Sequence, residues 1–304
     1  MGMQDVLLIA NAEAGAGETS AVEAAVSALS SHCRVDVVAT TDADELDRAL
    51  EKLAGRLLVI AGGDGSLHAA VAALHQRGEL DVPTIGLIPL GTGNDFARGV
   101  HLPIDPVLAA DVIVAGRATD VDLLVDDEGG IVVNVVHVGV GADAGMEARP
   151  WKARFGKAGY LVGAVVAAVK SKGHYLRVVA DDTVLADGRK KVLQVGIGNG
   201  DRVGGGTELT PDADPTDGVA DVLVSFAVGN VARLLYGVHL KRGTHDDRHN
   251  VRTARARTVT VSGQPFCCDT DGELAGPMTS RTWRMLPAAI TMMLPTAAQA
   301  AEDQ

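Results

Sequence analysis

The chain has 304 residues, 47% hydrophobic and 22% charged, enough to bury one large core or two modest ones, and two domains are expected. A formal net charge of -12 disfavours nonspecific binding to nucleic acid or to an anionic lipid surface, although a local basic patch can still dock there. Three cysteines, Cys33 and the adjacent Cys267 and Cys268, give neither an even disulfide framework nor spaced metal-ligand pairs. With no basic-then-apolar leader before VLLIA, they point to a reducing, cytoplasmic setting.

The first hundred residues alternate continuous apolar runs with amphipathic stretches. VLLIA (6–10) precedes a helix near 18–31, VDVVAT (35–40) one near 42–53, and LLVIAG (57–62) one near 66–77, while TIGLIPL (84–90) precedes the turn GTGNDFARG. Strands apolar throughout are buried on both faces, so an α/β, Rossmann-like, doubly wound and mostly parallel sheet is expected over residues 1–122. From about Asp120 the runs become β-branched (VDLLV, GIVVNVVHVG, YLRVVAD, KVLQVGIGNG, VADVLVSFAV, RTVTVSG), with helical intervals at 159–172 and 231–242. This predicts a strand-rich second domain over 123–288 and a tail over 289–304 that packs back on the first domain or frays. The apolar stretch 160–169 falls short of the roughly 20 residues that cross a bilayer, so no transmembrane segment is expected.

Three glycine-rich turns follow strands of the first domain: NAEAGAG (11–17), GGDGS (62–66) and GTGN (91–94). At the carboxyl ends of parallel strands such turns let main-chain N–H groups approach phosphate oxygens, and the helix that follows adds its positive end. Each alone is equally well a tight turn; three together suit a nucleotide polyphosphate. Asp64 inside the second turn would repel phosphate unless a cation bridges them, so it implies Mg²⁺ or a hydrogen bond to a hydroxyl, with a structural turn aspartate as the plainer reading. No Walker-A lysine follows these glycines. Asp214, Asp217 and Asp221 form a proline-bounded acidic turn that suits a hard cation or is simply solvated.

AGGDGSLHAAVAAL and IPLGTGNDFARG resemble the two signature blocks of the diacylglycerol kinase catalytic family, which includes sphingosine and ceramide kinases. GIGNGDRVGGGTELTPDADPTDGVADVLV (196–224) and Asp271-Gly272-Glu273 are similar to its later blocks. The resemblance implies a nucleotide domain like that of NAD kinases and phosphofructokinases, then a β-sandwich, with ATP, Mg²⁺ and a lipid hydroxyl meeting in the cleft. It implies that Asn11, Thr40, Gly62, Gly63, Asp64, Gly65, Ser66, Gly91, Thr92, Gly93 and Asn94 line the ATP site, and that Asp95 organises the cleft. Asp271 matches the family's general base, with Glu273 beside it on what is expected to be an extended segment, and Asp217 with Asp214 matches a structural Mg²⁺ site joining the domains.

The chain departs from the family at Asn11-Ala12 (for Asn-Pro), at Ser66 (for Thr) and at His68-Ala69 (for Asn-Glu), which puts in doubt any role for position 69. The expected activity is transfer of the γ-phosphoryl group to diacylglycerol; a sphingoid or other lipid acceptor, or NAD, is the alternative. A binding-only regulator would need neither Asp64 nor Asp271, and GAGETS (15–20) lacks the third glycine of a dehydrogenase loop. The basic and aromatic segment 148–157 suits a lipid headgroup layer or equally a surface loop folding its aromatics onto the domain, and the basic stretch Arg233 to Arg257 suits headgroups, ATP phosphates or acidic neighbours. The lipid would be met at the inner membrane face, with no nucleic-acid partner and a homodimer left open.

Overall fold

A computed structural model describes residues 4–12, 16–139, 142, 173–240, 243–297 and 299. Its first half runs β1 (Gln4–Asn11), α1 (Ala16–Ser30), β2 (Cys33–Thr40), α2 (Ala43–Leu50), β3 (Leu57–Gly62), α3 (Asp64–Arg77), β4 (Thr84–Pro89), α4 (Asp95–Gly99) and α5 (Pro106–Ala115). Strands β2, β1, β3 and β4 lie side by side in that order, all parallel. Alternate residues of β1 separate two cores, because successive strand side chains point to opposite faces. Val6, Leu8 and Ala10 pack with Ala25 and Leu29 of α1 and with Ala109, Ala110 and Ile113 of α5. Leu7 and Ile9 pack with Leu46 and Leu50 of α2 and with Leu67, Val71 and Leu74 of α3. This is the doubly wound arrangement that the apolar strands require.

Several helix boundaries differ from the sequence expectation by two or three residues, α1 beginning at Ala16 rather than near 18. α2 stops at Leu50 rather than near 53, because Ala54 (φ 46) and Gly55 (φ 78) both turn left-handed to bring the chain into β3. At its other end Asp42 accepts from the Glu45 N–H at 2.8 Å and Glu45 accepts from the Thr41 N–H at 2.8 Å, a reciprocal cap. α3 begins at Asp64, two residues early, so the acid of the glycine turn is itself the first helical residue.

The second half contains β5 (Arg117–Asp126), β6 (Ile131–Val132), β7 (Val135–Gly139), β8 (His174–Ala180), β9 (Thr183–Val192), β10 (Gln194–Gly198), β11 (Arg202–Val203), β12 (Thr207–Glu208), β13 (Ala220–Ser225), α6 (Asn230–Leu240), β14 (Val251–Ala256), β15 (Thr258–Thr270) and β16 (Glu273–Leu294). β14, β13, β10, β7 and β15 pair antiparallel in that order. Their inward residues, among them Val136, Val195, Val222, Val261 and Phe266, form one sandwich core with Trp283 of β16. β16 is the link between the halves: it pairs antiparallel with β15 and β5, and near its end parallel with β4 through Thr291 and Met292. Residues 289–294, expected to start a tail, are therefore strand laid on the first sheet. The basic and aromatic segment 148–157 and the helix expected at 159–172 lie outside the described residues. No described helix is long and apolar enough to cross a membrane.

Candidate nucleotide and acceptor site

The strand register sets the carboxyl ends of β2, β1, β3 and β4 next to one another. Asn11, exposed at the end of β1, stands opposite Thr40, and Gly62 stands opposite Pro89. The Leu90 N–H donates to the Gly62 carbonyl at 3.0 Å and brings the following glycines into backbone contact. A Cβ on Gly63 would lie 2.9 Å from the Gly91 Cα, and one on Gly91 would lie 2.6 Å from the Gly63 Cα and 2.8 Å from Asn94 Oδ1. No side chain fits there, which accounts for glycine on both turns. Asn94 takes a left-handed conformation (φ 51), is buried, and donates from Nδ2 to the Gly91 carbonyl at 2.8 Å, so it fixes the second turn from within.

α3 starts on this cradle with Gly63 as its cap, which offers no side chain to satisfy the first helical N–H groups. The Ser66 and Leu67 N–H groups donate back to the Gly63 carbonyl, while those of Asp64 and Gly65 precede the first turn and have no helical acceptor. The result is an uncapped helix N-terminus at the strand ends, with Gly65 and Thr92 exposed around it.

The two acids of these turns do different jobs. Asp64 Oδ1 accepts from the Phe96 N–H at 3.0 Å, which ties α3 to α4 and leaves Oδ2 toward Gly93. Asp95 is buried and accepts from the Gly205 and Gly206 N–H groups at 2.6–3.0 Å. Burial raises the Asp95 carboxyl above its usual range, and the two N–H groups oppose that shift. Gly205 and Gly206 have φ of 87° and 103°, a backbone that only glycine adopts without strain, so the triple-glycine turn exists to present these donors to Asp95. Asp95→Ala is expected to release the turn 202–208 from α4. Turnover should fall by at least ~10-fold with a lower melting temperature, since ~1–3 kcal/mol accompanies each buried donor left unpaired, and a thermal melt beside an activity assay checks it.

Asp271 lies in a turn with Gly272 (φ 50 and 93), not on the extended segment expected from the sequence, and its side chain is 2% exposed where that of Glu273 is 77% exposed. The two carboxylates therefore differ in exposure, one buried and one open to solvent. Asp271 Oδ1 accepts from the Asn134 and Val135 N–H groups at 3.0 and 2.9 Å, and Oδ2 accepts from the Val133 N–H at 2.7 Å and meets His68 Nδ1 at 2.9 Å. Glu273 Oε2 is 3.9 Å from His68 Nε2. Burial lowers the His68 pKa, but the hydrogen bond and charge of Asp271 together with the charge of Glu273 outweigh it and leave the imidazole above its ordinary value. His68 was legible only as a departure from a motif. The available signal was its spacing, four residues after Asp64 on one helix face, and nothing in the sequence shows that its partner lies 203 residues away.

The acidic turn does not converge on one point. Asp214 Oδ1 accepts from Thr216 N and Oγ1, and Asp217 pairs with Arg255 and accepts from the Val219 N–H. Among the described residues no three His, Cys, Asp or Glu side chains gather as a metal cage. Asp122 on β5 ties this turn to β16, its oxygens accepting from the Gly218 N–H at 2.6 Å and the Ala288 N–H at 2.7 Å. Asp221, held up to about 6 mainly by burial, is 3.6 Å from Arg255 Nε. A carboxyl raised in the folded state binds more protons there than when unfolded, so this group makes stability fall as pH rises from about 4 to about 6. Asp221→Asn should flatten that decline in melting temperature over the same window.

The diacylglycerol kinase catalytic domain family matches residues 5–125 of the chain. The family described as the YegS C-terminal NAD kinase beta sandwich-like domain matches residues 134–294. A Xanthomonas oryzae pv. oryzae protein named "Probable lipid kinase YegS-like" is 34% identical over 248 residues, 78% of each chain. The diacylglycerol kinase of Mycobacterium tuberculosis is 30% identical over 294 residues, 92% of each chain. A crystal structure of a diacylglycerol kinase from Bacillus anthracis str. Sterne superposes with a TM-score of 0.77 at 22% identity, over 97% of this chain and 98% of that one, and shows the same fold. The glycine cradle, the uncapped α3 and the buried Asp271 thus stand in a chain that belongs to the diacylglycerol kinase family of ATP-using lipid kinases.

Proposed function

We propose that the chain transfers the γ-phosphoryl group of ATP to the free hydroxyl of a diacylglycerol, giving phosphatidic acid and ADP. The observation that carries this reading is the backbone contact of Gly63 with Gly91 beside the free N-terminus of α3, a cradle whose donors suit a polyphosphate. The acceptor class rests on the relative named diacylglycerol kinase, alignable over 92% of both chains. In this reading the turns 62–66 and 91–94 hold and orient the phosphates, with Asn11 and Thr40 at the outer end of the nucleotide. Asp95 keeps the triple-glycine turn closed over α4, and the hydroxyl proton leaves toward the cluster of Asp271, His68 and Glu273. Mg²⁺ normally binds through one or two carboxylates plus substrate phosphates, and Asp64, with Oδ1 on Phe96 and Oδ2 facing Gly93, fits as its protein ligand. Bound there, the ion would neutralise phosphate charge.

A competition assay tests the acceptor. Labelled ATP is offered with dioleoylglycerol, sphingosine and NAD in detergent micelles, and label is expected in phosphatidic acid first. Label found in NADP alone would refute the reading, and label in sphingosine phosphate alone would move the acceptor while keeping the chemistry.

A further inference from the structure

Asp271, the residue that motif resemblance marks as the base, is poorly placed to receive a proton. Its two oxygens already accept three main-chain N–H groups and meet His68 Nδ1, and its side chain is 2% exposed. A carboxylate so engaged can only accept from the imidazole, so the neutral ring carries its proton on Nδ1 and leaves Nε2 with a free lone pair. Nε2 points away from Asp271 toward the exposed Glu273, at 3.9 Å. His68 follows Asp64 by one helical turn, about 6 Å of rise along α3, the helix that starts on the glycine cradle. The elements that pack most on α3 bring no charge to this end of it. β3 and β6, which pack on α3, contribute only apolar residues and glycine, and α2 meets α3 through Asp47 and Arg77 at the far end of the helix. Beyond Asp271, Asp269 faces His137 at 3.8 Å.

We propose that His68, through Nε2, is the group that accepts the proton of the acceptor hydroxyl, while Asp271 is a positioning residue that fixes its tautomer and Glu273 passes the charge to solvent. This rests on the phosphoryl-transfer reading above. In the step the acceptor O–H bond breaks and its electron pair forms the new bond to the γ-phosphorus. The bond from that phosphorus to the β–γ bridging oxygen breaks with its pair onto ADP, and the proton ends on Nε2. The arrangement is orienting carboxylate, imidazole and hydroxyl, the logic by which a buried acid holds a histidine base in one tautomer.

The test uses the full chain with labelled ATP and dioleoylglycerol in mixed micelles, comparing wild type, His68→Gln, His68→Asn and Asp271→Asn across pH. A base must be unprotonated, so wild-type kcat should fall as pH drops through the raised His68 pKa, above the ordinary histidine value of about 6.5. His68→Gln and His68→Asn are expected to lose this acid limb and about 10²–10⁴ in kcat, with KM for ATP little changed. Asp271→Asn is expected to keep the limb and shift it to lower pH. Retention of wild-type kcat and of the acid limb in the two His68 variants, with melts like wild type, would overturn the proposal. If the wild type phosphorylates no acceptor, the function reading fails instead, and nitrogen NMR of His68 still decides the dyad: a neutral ring protonated on Nδ1, titrating lower in Asp271→Asn, supports it, and a ring protonated on Nε2 refutes it.

Discussion

Gly91→Ala is expected to reduce ATP-dependent turnover by about 10²-fold or more and to lower the melting temperature, because the new methyl has no space on either side. It would stand 2.6 Å from the Gly63 Cα and 2.8 Å from Asn94 Oδ1, so the two turns must part or Asn94 must give up its bond to the Gly91 carbonyl. Overpacking of this kind costs about 1–3 kcal/mol, and a shift of about 1 Å in a group that aligns the reacting phosphate is enough for the loss in rate. Gly65→Ala, one turn away, is the contrast. No atom lies within 4 Å of its Cβ, and alanine is favoured over glycine in a helix by about 1 kcal/mol. That variant should melt no lower than wild type while its methyl occupies the space before the uncapped N–H groups. Loss of nucleotide binding in Gly65→Ala with an intact melt, beside loss of both in Gly91→Ala, would separate crowding of the ligand from crowding of the fold.

The second large effect belongs to Asp271. In Asp271→Asn one oxygen becomes an amide donor that faces main-chain N–H groups from Val133, or from Asn134 and Val135, and at least one of those loses its acceptor. Unpaired buried donors cost about 1–3 kcal/mol each, so the variant should unfold at lower urea concentration by a clear margin. Its kcat should fall by about 10²-fold or more, because a neutral amide holds the His68 ring in one tautomer less firmly than the carboxylate does. Asp271 therefore couples stability to activity, and a variant with normal stability and lost activity would show that the three N–H groups find other partners.

Much of this arrangement is visible in the sequence because it is local. Continuous apolar strands, glycine turns after them and an acid within GGDGS are features of a few residues each, and they mark the paired glycine turns without knowledge of the second half. The triple-glycine turn also stands out, but its purpose does not, since the acceptor of its N–H groups is Asp95, 110 residues earlier. The pairing of His68 with Asp271 and the use of Asp122 as the joint depend on which strand β16 meets, a tertiary fact. β16 itself hid its extent, because its bend at Ala288 (φ 50) breaks the alternation that marks a strand. α5 was missed for a related reason: PVLAADVIVA is apolar nearly all round, since it packs against α1 as well as the sheet, and so lacks the helical period. In the acidic turn the carboxylates meet nearby N–H groups and Arg255, partners that its spacing alone does not reveal.

The central claim is that this chain phosphorylates a lipid hydroxyl with ATP. Its most direct test is mass spectrometry of the lipid fraction after incubation of the purified chain with ATP, Mg²⁺ and dioleoylglycerol, with ADP measured in the same tube. The account predicts dioleoyl phosphatidic acid and ADP in equal amounts, and neither with Gly91→Ala. ADP formed without any phosphorylated lipid, or NADP as the sole phosphorylated product when NAD is added, would contradict it.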